Sequence, residues 1–174
     1  MPHAVHFYED EPRLALHVAR FVDDGVTRGE RALVVARTSL VERIRTKTAT
    51  KFTFVDAEEL LEKFMVGDMP DVGRFLTAVE PLRLAQSGSR LRAYGEMVDL
   101  LWRSGRRRAA LALEGLWNEI AREHDVTLSC SYAAQSFRND RDSTDFDAIC
   151  WAHSRTIPPD VTFDVIRRRV GTSA

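Results

Sequence analysis

Cysteine, lysine and long apolar runs are all scarce in this chain of 174 residues. The two cysteines, Cys130 and Cys150, are spaced like neither a zinc ribbon nor a CxxC redox motif. They read as buried small apolar residues first and as site residues second, and a disulfide is not expected in a reducing cytoplasm. No stretch approaches the roughly 18 uninterrupted apolar residues of a membrane span. The opening Met-Pro-His-Ala-Val-His lacks the basic and apolar blocks of a secretory signal, so a cytoplasmic location is expected. None of the three lysines, Lys47, Lys51 and Lys63, follows a glycine. The Gly-Lys-Ser/Thr of a P-loop is therefore absent, and with it P-loop NTP hydrolysis. G-x-G-x-x-G, G-x-S-x-G and H-E-x-x-H are missing as well. With 25 basic and 26 acidic residues and a net charge of −1, no global field draws the chain to nucleic acid or to an anionic membrane. Its arginine runs, Arg106-Arg107-Arg108 and Arg167-Arg168-Arg169, read as a solvated helix flank and tail before a docking patch.

What is present alternates between strands and helices. Val5-His6-Phe7-Tyr8 is a short strand. Leu14, Val18, Phe21 and Val22 follow at helical spacing, with Gly25 and Gly29 as stop signals. Ala32-Leu33-Val34-Val35-Ala36 is apolar on both faces, as a central parallel strand must be. A short helix over 39–46 leads to the strand Phe52-Thr53-Phe54-Val55, and Asp56 caps the helix bearing Leu60, Leu61 and Phe64. Met69-Pro70-Asp71 opens another helix with Phe75, Leu76, Val79 and Leu82 on one face, which Pro81 must interrupt or kink. Leu91-Arg92-Ala93-Tyr94 is a strand, followed by a helix with Met97, Leu100 and Leu101 that Gly105 ends. Leu113, Leu116, Trp117 and Ile120 define a helix over 109–123, and a strand spans 126–132. A polar loop lies over 135–143, a helix over 145–153, an extended Thr156-Ile157-Pro158-Pro159 next, and a polar tail over 160–174. This pattern predicts a single three-layer α/β domain over 1–174, its mainly parallel sheet covered by helices on both faces.

Ligands in open α/β sheets bind outside the strand carboxyl ends. Those ends carry Tyr8, Arg37, Asp56, Tyr94, Glu96 and Cys130 to Tyr132, a polar and aromatic rim suited to a small ligand. Glu114 and Asn118, four apart, share a helix face and read as a hydrogen-bond anchor before a ligand contact. His3 opens the first strand and His153 follows the last helix. A metal site there needs further ligands, plausibly Cys130 or Glu96, to converge. Ordinary hydrogen-bonded histidines are the favoured reading, so no metal and no cofactor is expected. His6, His17 and His124 look incidental.

Several motifs together resemble one family. They include His3-x-x-x-Phe7-Tyr8-Glu9-Asp10, Phe21 through Gly25 to Gly29-Glu30, Val55-Asp56-Ala57-Glu58 and Phe64-Met65-Val66. Tyr94-Gly95-Glu96-Met97-Val98 and Leu100-Leu101-Trp102 continue the series, followed by Leu113-Glu114-x-Leu116-Trp117-Asn118-Glu119, Cys130-x-Tyr132, and Ile149-Cys150 through His153 to Ile157-Pro158. In this order, from 3 to about 158, the chain resembles the DcmR-like sensory domain, MEDS (methanogen/methylotroph, DcmR sensory). The resemblance implies a RecA/KaiC-like core without its nucleotide loop and a sensory role in prokaryotic signal transduction. It also implies recognition of a small organic ligand, for some members a simple hydrocarbon derivative. Output would pass to a separate partner such as a kinase, anti-sigma factor or transcription regulator. Two departures bear on the pocket. Ala36-Arg37-Thr38-Ser39 lacks the histidine often found in that segment, and the stretch before Val55 is shortened. Ala133 replaces a proline after Tyr132.

The ligand-binding set expected is thus His3, Tyr8, Arg37, Tyr94, Glu96, Glu114, Asn118, Cys130, Tyr132 and His153, with no catalytic residue. The alternatives are a degenerate RecA-like interaction module without ligand, and a small enzyme using Glu96 or Glu114 with Cys130 as nucleophile. No direct nucleic acid and no membrane contact is expected, and a homodimer is left open.

Overall fold

The run Ala32 to Ala36 has no polar face to show to water, and the fold puts it inside a sheet. In the computed structural model, which describes residues 3–84, 90–137 and 143–157, it lies in strand β2 (Arg31–Ala36), buried from Ala32 onward. The other strands are β1 (His3–Tyr8), β3 (Thr53–Asp56), β6 (Leu91–Gly95), β7 (Val126–Ala133) and β8 (Arg155–Ile157), with the two-residue strands β4 (Met65–Val66) and β5 (Met69–Pro70) outside the main sheet. The six-stranded sheet has the order β3-β2-β6-β7-β1-β8, and every neighbouring pair is parallel. The expected three-layer α/β architecture is the one observed.

Two separate apolar clusters lie on the two faces. One joins Leu14, Val18 and Val22 of helix α1 (Glu11–Thr27) and Leu40, Val41 and Ile44 of α2 (Thr38–Arg45) to Ala32, Val34 and Tyr94 of the sheet. The other joins Leu33, Val35, Leu128 and Tyr132 to α3 (Ala57–Phe64), α4 (Val72–Leu84), α5 (Met97–Arg103), α6 (Arg107–Glu123) and α7 (Ser143–Ala152). Connections from β1 and β2 move along the sheet one way over the first face. Those from β3, β6 and β7 move the opposite way over the second, so all share the right-handed crossover rule. Neighbouring connections therefore part at β2/β6 and at β1/β7, the positions at the carboxyl edge where ligand crevices form in open α/β sheets.

Local signals account for most boundaries. Asp56 caps α3 as expected, accepting from the Glu58 and Glu59 amides at 3.0 and 3.1 Å. Gly29, at φ 78°, turns the chain out of α1. Gly25 departs from its expected role as a stop: α1 runs through it to Thr27, and it is small because Arg92 packs there. Pro81 does not interrupt α4, which continues to Leu84, although its missing N–H removes one backbone bond, to the carbonyl four residues back. Leu76 is not on the buried face of α4 and is 47% exposed, while Phe75 and Val79 are buried. Leu76 sits about 100° around the helix from Phe75, outside the stripe. Met69 and Pro70 form β5, antiparallel to β4, before α4 begins. Of the polar loop over 135–143, a short 3-10 helix, Ala134–Phe137, is described, and 138–142 lie outside the described residues. So do Pro158, Pro159 and the tail over 160–174. Among the described residues no helix is long and apolar enough to cross a membrane.

Candidate functional site

Alternation along β1 sends His3, Val5 and Phe7 to one face and Ala4, His6 and Tyr8 to the other. Beside it, β7 runs in parallel register with His3 opposite Leu128 and Val5 opposite Cys130. His3 and Cys130 thus point toward the same layer, where α6 lies. Glu114 and Asn118 project from α6, and His153 stands in the link between α7 and β8. The four side chains of His3, Glu114, Cys130 and His153 meet beneath the sheet with one ligand atom each, all within 4.8 Å of one another, and all four are buried.

The contacts are specific. His3 Nε2 lies 3.2 Å from Cys130 Sγ and 3.5 Å from Glu114 Oε2. His153 Nε2 lies 3.2 Å from the same Oε2. Behind these, Tyr132 donates its hydroxyl to Glu114 Oε1 at 2.8 Å. His153 Nδ1 donates to the Ile149 carbonyl at 2.6 Å. Asn118 Nδ2 donates to the Ala152 carbonyl at 2.8 Å, which turns its Oδ1 to accept from His3 Nδ1 at 2.9 Å. Both imidazoles are thereby oriented with Nε2 inward.

Burial opposes charge throughout this cluster. It works to raise the Glu114 pKa, but His153, His3 and the Tyr132 hydroxyl outweigh it and hold the carboxyl below its ordinary value. Burial works to lower His153, yet the Glu114 carboxylate raises it overall. His3 is lowered by burial, and by His153 beside it, against the pull of Glu114. The Cys130 thiol is pushed well above its usual value by burial and by Glu114. These directions favour a Glu114 carboxylate paired with His153 and disfavour charge on His3 and Cys130.

A second polar cluster occupies the carboxyl edge. Arg37 follows β2 and Glu96 follows β6, across one of the two crevices. The Arg37 backbone amide donates to Glu96 Oε2 at 2.7 Å, and its Nε and Nη2 donate to Oε1 at 2.9 and 2.6 Å. Nη2 also reaches Glu11 at the start of α1, at 2.9 Å. Glu96 is fully buried while Arg37 is 21% exposed and Glu11 32%. Burial raises the Glu96 pKa despite Arg37. Next to it, Tyr8 donates to Asp99 Oδ2 at 2.7 Å, and the Ala133 amide donates to Asp99 Oδ1 at 3.0 Å. Arg103 approaches the same carboxylate at 3.5 Å.

The ten expected residues therefore divide. Tyr8, Arg37 and Glu96 lie at the carboxyl edge. His3, Glu114, Asn118, Cys130, Tyr132 and His153 gather below the sheet, and only Tyr132, next to Ala133, links the two sets. Cys130 does not end its strand: it is the fifth residue of eight in β7. Tyr94 faces the opposite layer, bonded to Ser131 Oγ at 2.6 Å. Glu114, not Glu96, joins the two histidines and Cys130. Asn118 does anchor a neighbouring segment, through the Ala152 carbonyl, while Glu114 meets Tyr132 and the two histidines. Asp99, Arg103 and Glu11 were missed. The signal for Asp99 was a carboxylate on the buried, apolar side of α5, among Met97, Val98, Leu101 and Trp102. Surface grooves lie elsewhere, one along α3 and α4 lined by Lys63, Asp71, Arg74, Thr77 and Pro81, another near the amino ends of β2 and β3 around Glu30 and Phe52.

No curated protein and no solved structure matches the chain. A family model does, over residues 2–167, nearly the whole length. With the motif order, the parallel sheet and the two polar clusters accounted for, the chain belongs to the MEDS family, the methanogen/methylotroph DcmR sensory domain.

Proposed function

We propose that this chain is a non-enzymatic sensory domain of the cytoplasm that binds a small organic ligand at the carboxyl-edge crevice and acts on a separate signalling partner. Arg37 carries the reading. Its guanidinium is held by the buried Glu96 on one side and by the part-exposed Glu11 on the other. A ligand with a carboxylate or another strong acceptor can take the place of Glu11, since arginine offers a planar fork to such groups. Displacing Glu11 from Arg37 leaves the first residue of α1 with its contact to Arg43 of α2, so ligand binding and the placement of these helices become linked. A ligand shifts such a two-state element only by preferring one state, and the Glu11 exchange supplies that preference. The expected RecA-like character of the core belongs to the same proposal and is supported by the all-parallel sheet with helices on both faces.

The enzymatic alternative has less support. A nucleophilic cysteine needs a stabilised thiolate, whereas burial and Glu114 keep the Cys130 thiol protonated. The interaction-module reading has one observation in its favour. Val66 and Met69, cross-strand partners in the β4–β5 hairpin, and Val72 and Leu76, four apart on α4, are 44 to 52% exposed.

The test is a thermal-shift screen of short organic acids, alcohols and halides with the wild type and Arg37→Lys. A ligand that stabilises the wild type and loses its effect in the variant supports the reading. A panel without any stabilising compound overturns it in favour of the interaction module.

A further inference from the structure

The cluster under the sheet contains two polar atoms that the fold buries without a hydrogen-bonded partner. Glu114 Oε2 and His153 Nε2 lack one, although both side chains are fully buried and 3.2 Å apart. The two meet as an ion pair, yet buried atoms without an aligned hydrogen bond are uncommon in an interior and ask for an explanation. Both are aimed at the point that His3 Nε2 and Cys130 Sγ also face.

We propose that His3 Nε2, Glu114 Oε2, Cys130 Sγ and His153 Nε2 form a closed, four-coordinate site for zinc(II) or a chemically similar late-transition divalent ion.

Four features support the assignment. Bonds of about 2.0–2.3 Å in a tetrahedron put neighbouring ligand atoms about 3.3–3.8 Å apart, close to the 3.2, 3.5 and 3.2 Å of three pairs here, the four atoms together lying within 4.8 Å. Three of the four ligands are oriented from behind as metal ligands are: His3 by Asn118, His153 by the Ile149 carbonyl and Glu114 by Tyr132. The donors, two imidazoles, a thiolate and a carboxylate, suit zinc or cobalt and not the oxygen-seeking magnesium and calcium. Charge also balances. A thiolate and a carboxylate bring two negative charges to a dication, and the protons that the ligands hold pass to solvent as it binds. The bound site is then neutral, which lowers the cost of burying the ion.

Four protein ligands leave no open position, so the ion is structural and not catalytic. It ties β1, α6 and β7 to the link between α7 and β8. That link is otherwise held by Ser154, whose hydroxyl accepts from the His3 amide at 2.9 Å and donates to the His3 carbonyl at 3.1 Å. The ion therefore acts as a staple for the β8 edge of the sheet, independently of the carboxyl-edge ligand.

The test uses the full chain, stripped with a chelator under a phosphine reductant and then titrated with cobalt(II). One equivalent should give visible bands of a tetrahedral ion and a near-ultraviolet thiolate-to-cobalt band. Zinc(II) should displace cobalt, and competition with a chromophoric chelator gives its affinity. Cys130→Ser should abolish the thiolate band, and His153→Gln should weaken zinc binding by about 100-fold or more, as ligand-shell losses do. Cys150→Ser should change neither. Hydrogen exchange of 155–157 in the wild type should slow with zinc, a readout that stands even if a variant fails to fold. Absence of the thiolate band in the wild type, or bands that persist in Cys130→Ser and vanish in Cys150→Ser, overturns the site. Organic-ligand binding is scored separately, so failure of either proposal leaves the other legible.

Discussion

Tyr132 donates its hydroxyl to Glu114 across the interface between β7 and α6, at 2.8 Å, with both residues wholly buried. That bond holds one carboxylate oxygen and leaves the other turned toward His3 and His153. The Tyr132 ring meanwhile packs against Phe7 and Trp102, so one side chain serves both the core and the polar cluster. Tyr132→Phe should keep the packing and lose the bond. An unsatisfied buried oxygen costs about 1–3 kcal/mol, and urea unfolding of the variant should show a midpoint lowered accordingly with an unchanged slope.

Asn118 links His3 to the end of α7. Asn118→Leu fills similar space without either hydrogen bond. We expect faster amide exchange at 153–157, where the Ala152 anchor is lost, and little change in α1, which lies on the other face. Uniform loss of protection across the chain would contradict this local role.

Arg37 and Glu96 form a pair in which one partner is fully buried. Arg37→Met leaves the Glu96 carboxylate without its main counter-charge. Breaking a buried pair costs about 3–5 kcal/mol, and partial exposure of Arg37 reduces that to about 2–3 kcal/mol. The double variant Arg37→Met/Glu96→Leu should recover part of the loss, because neither charge is then stranded. A double variant no better than the single one would mean that the pair is not coupled.

His6 is buried and stacked on His17 with ring centroids 3.9 Å apart. Burial first, and His17 second, lower its pKa from 6.5 to about 3. Above about 6.5 both folded and unfolded chains hold it neutral. As pH falls below that value the unfolded chain takes up a proton that the fold refuses, so stability declines, by up to about 1.4 kcal/mol per pH unit. The decline from this residue levels off only near its folded value. The pH dependence of denaturant stability between 7 and 5 should be flatter in His6→Phe than in the wild type. Parallel curves would rule out His6 as the source.

Gly25 lies inside α1 where Arg92 crosses it to reach Glu30 at 2.5 Å. A Cβ at Gly25 would stand 2.5 Å from Arg92 Cδ and 2.7 Å from its Nε. Helix propensity favours alanine over glycine by about 1 kcal/mol, but here the buried guanidinium has to move. Gly25→Ala should therefore destabilise, by about 1–3 kcal/mol as overpacking does, and Gly25→Ala in an Arg92→Leu background should lose much of that penalty. Stabilisation by the single substitution would show that Arg92 gives way freely.

Much of this was written in local pattern. The continuous apolar run in β2, the helical stripe of Leu14, Val18 and Val22, and the Asp56 cap depend on neighbours within a few residues, and each reads directly. Gly25 and Leu76 did not, because their roles depend on Arg92 from another strand and on which side of α4 the sheet lies. Nor did Pro81, since the packing of Phe75, Val79 and Leu82 against the core can carry a helix past one missing backbone bond. The sensory-domain motifs were legible in order, yet they did not reveal that their residues serve two clusters.

The chain's own text determined the alternation of strands and helices, the parallel sheet and membership of the sensory family, because periodicity, caps and motif order are properties of consecutive residues. Only tertiary structure decided that Glu114 and not Glu96 stands with His3, Cys130 and His153, and that Tyr94 faces the layer opposite them. Strand alternation makes that choice: a shift of one residue sends a side chain to the other face. Which helix then covers that face is settled by packing across the whole sheet.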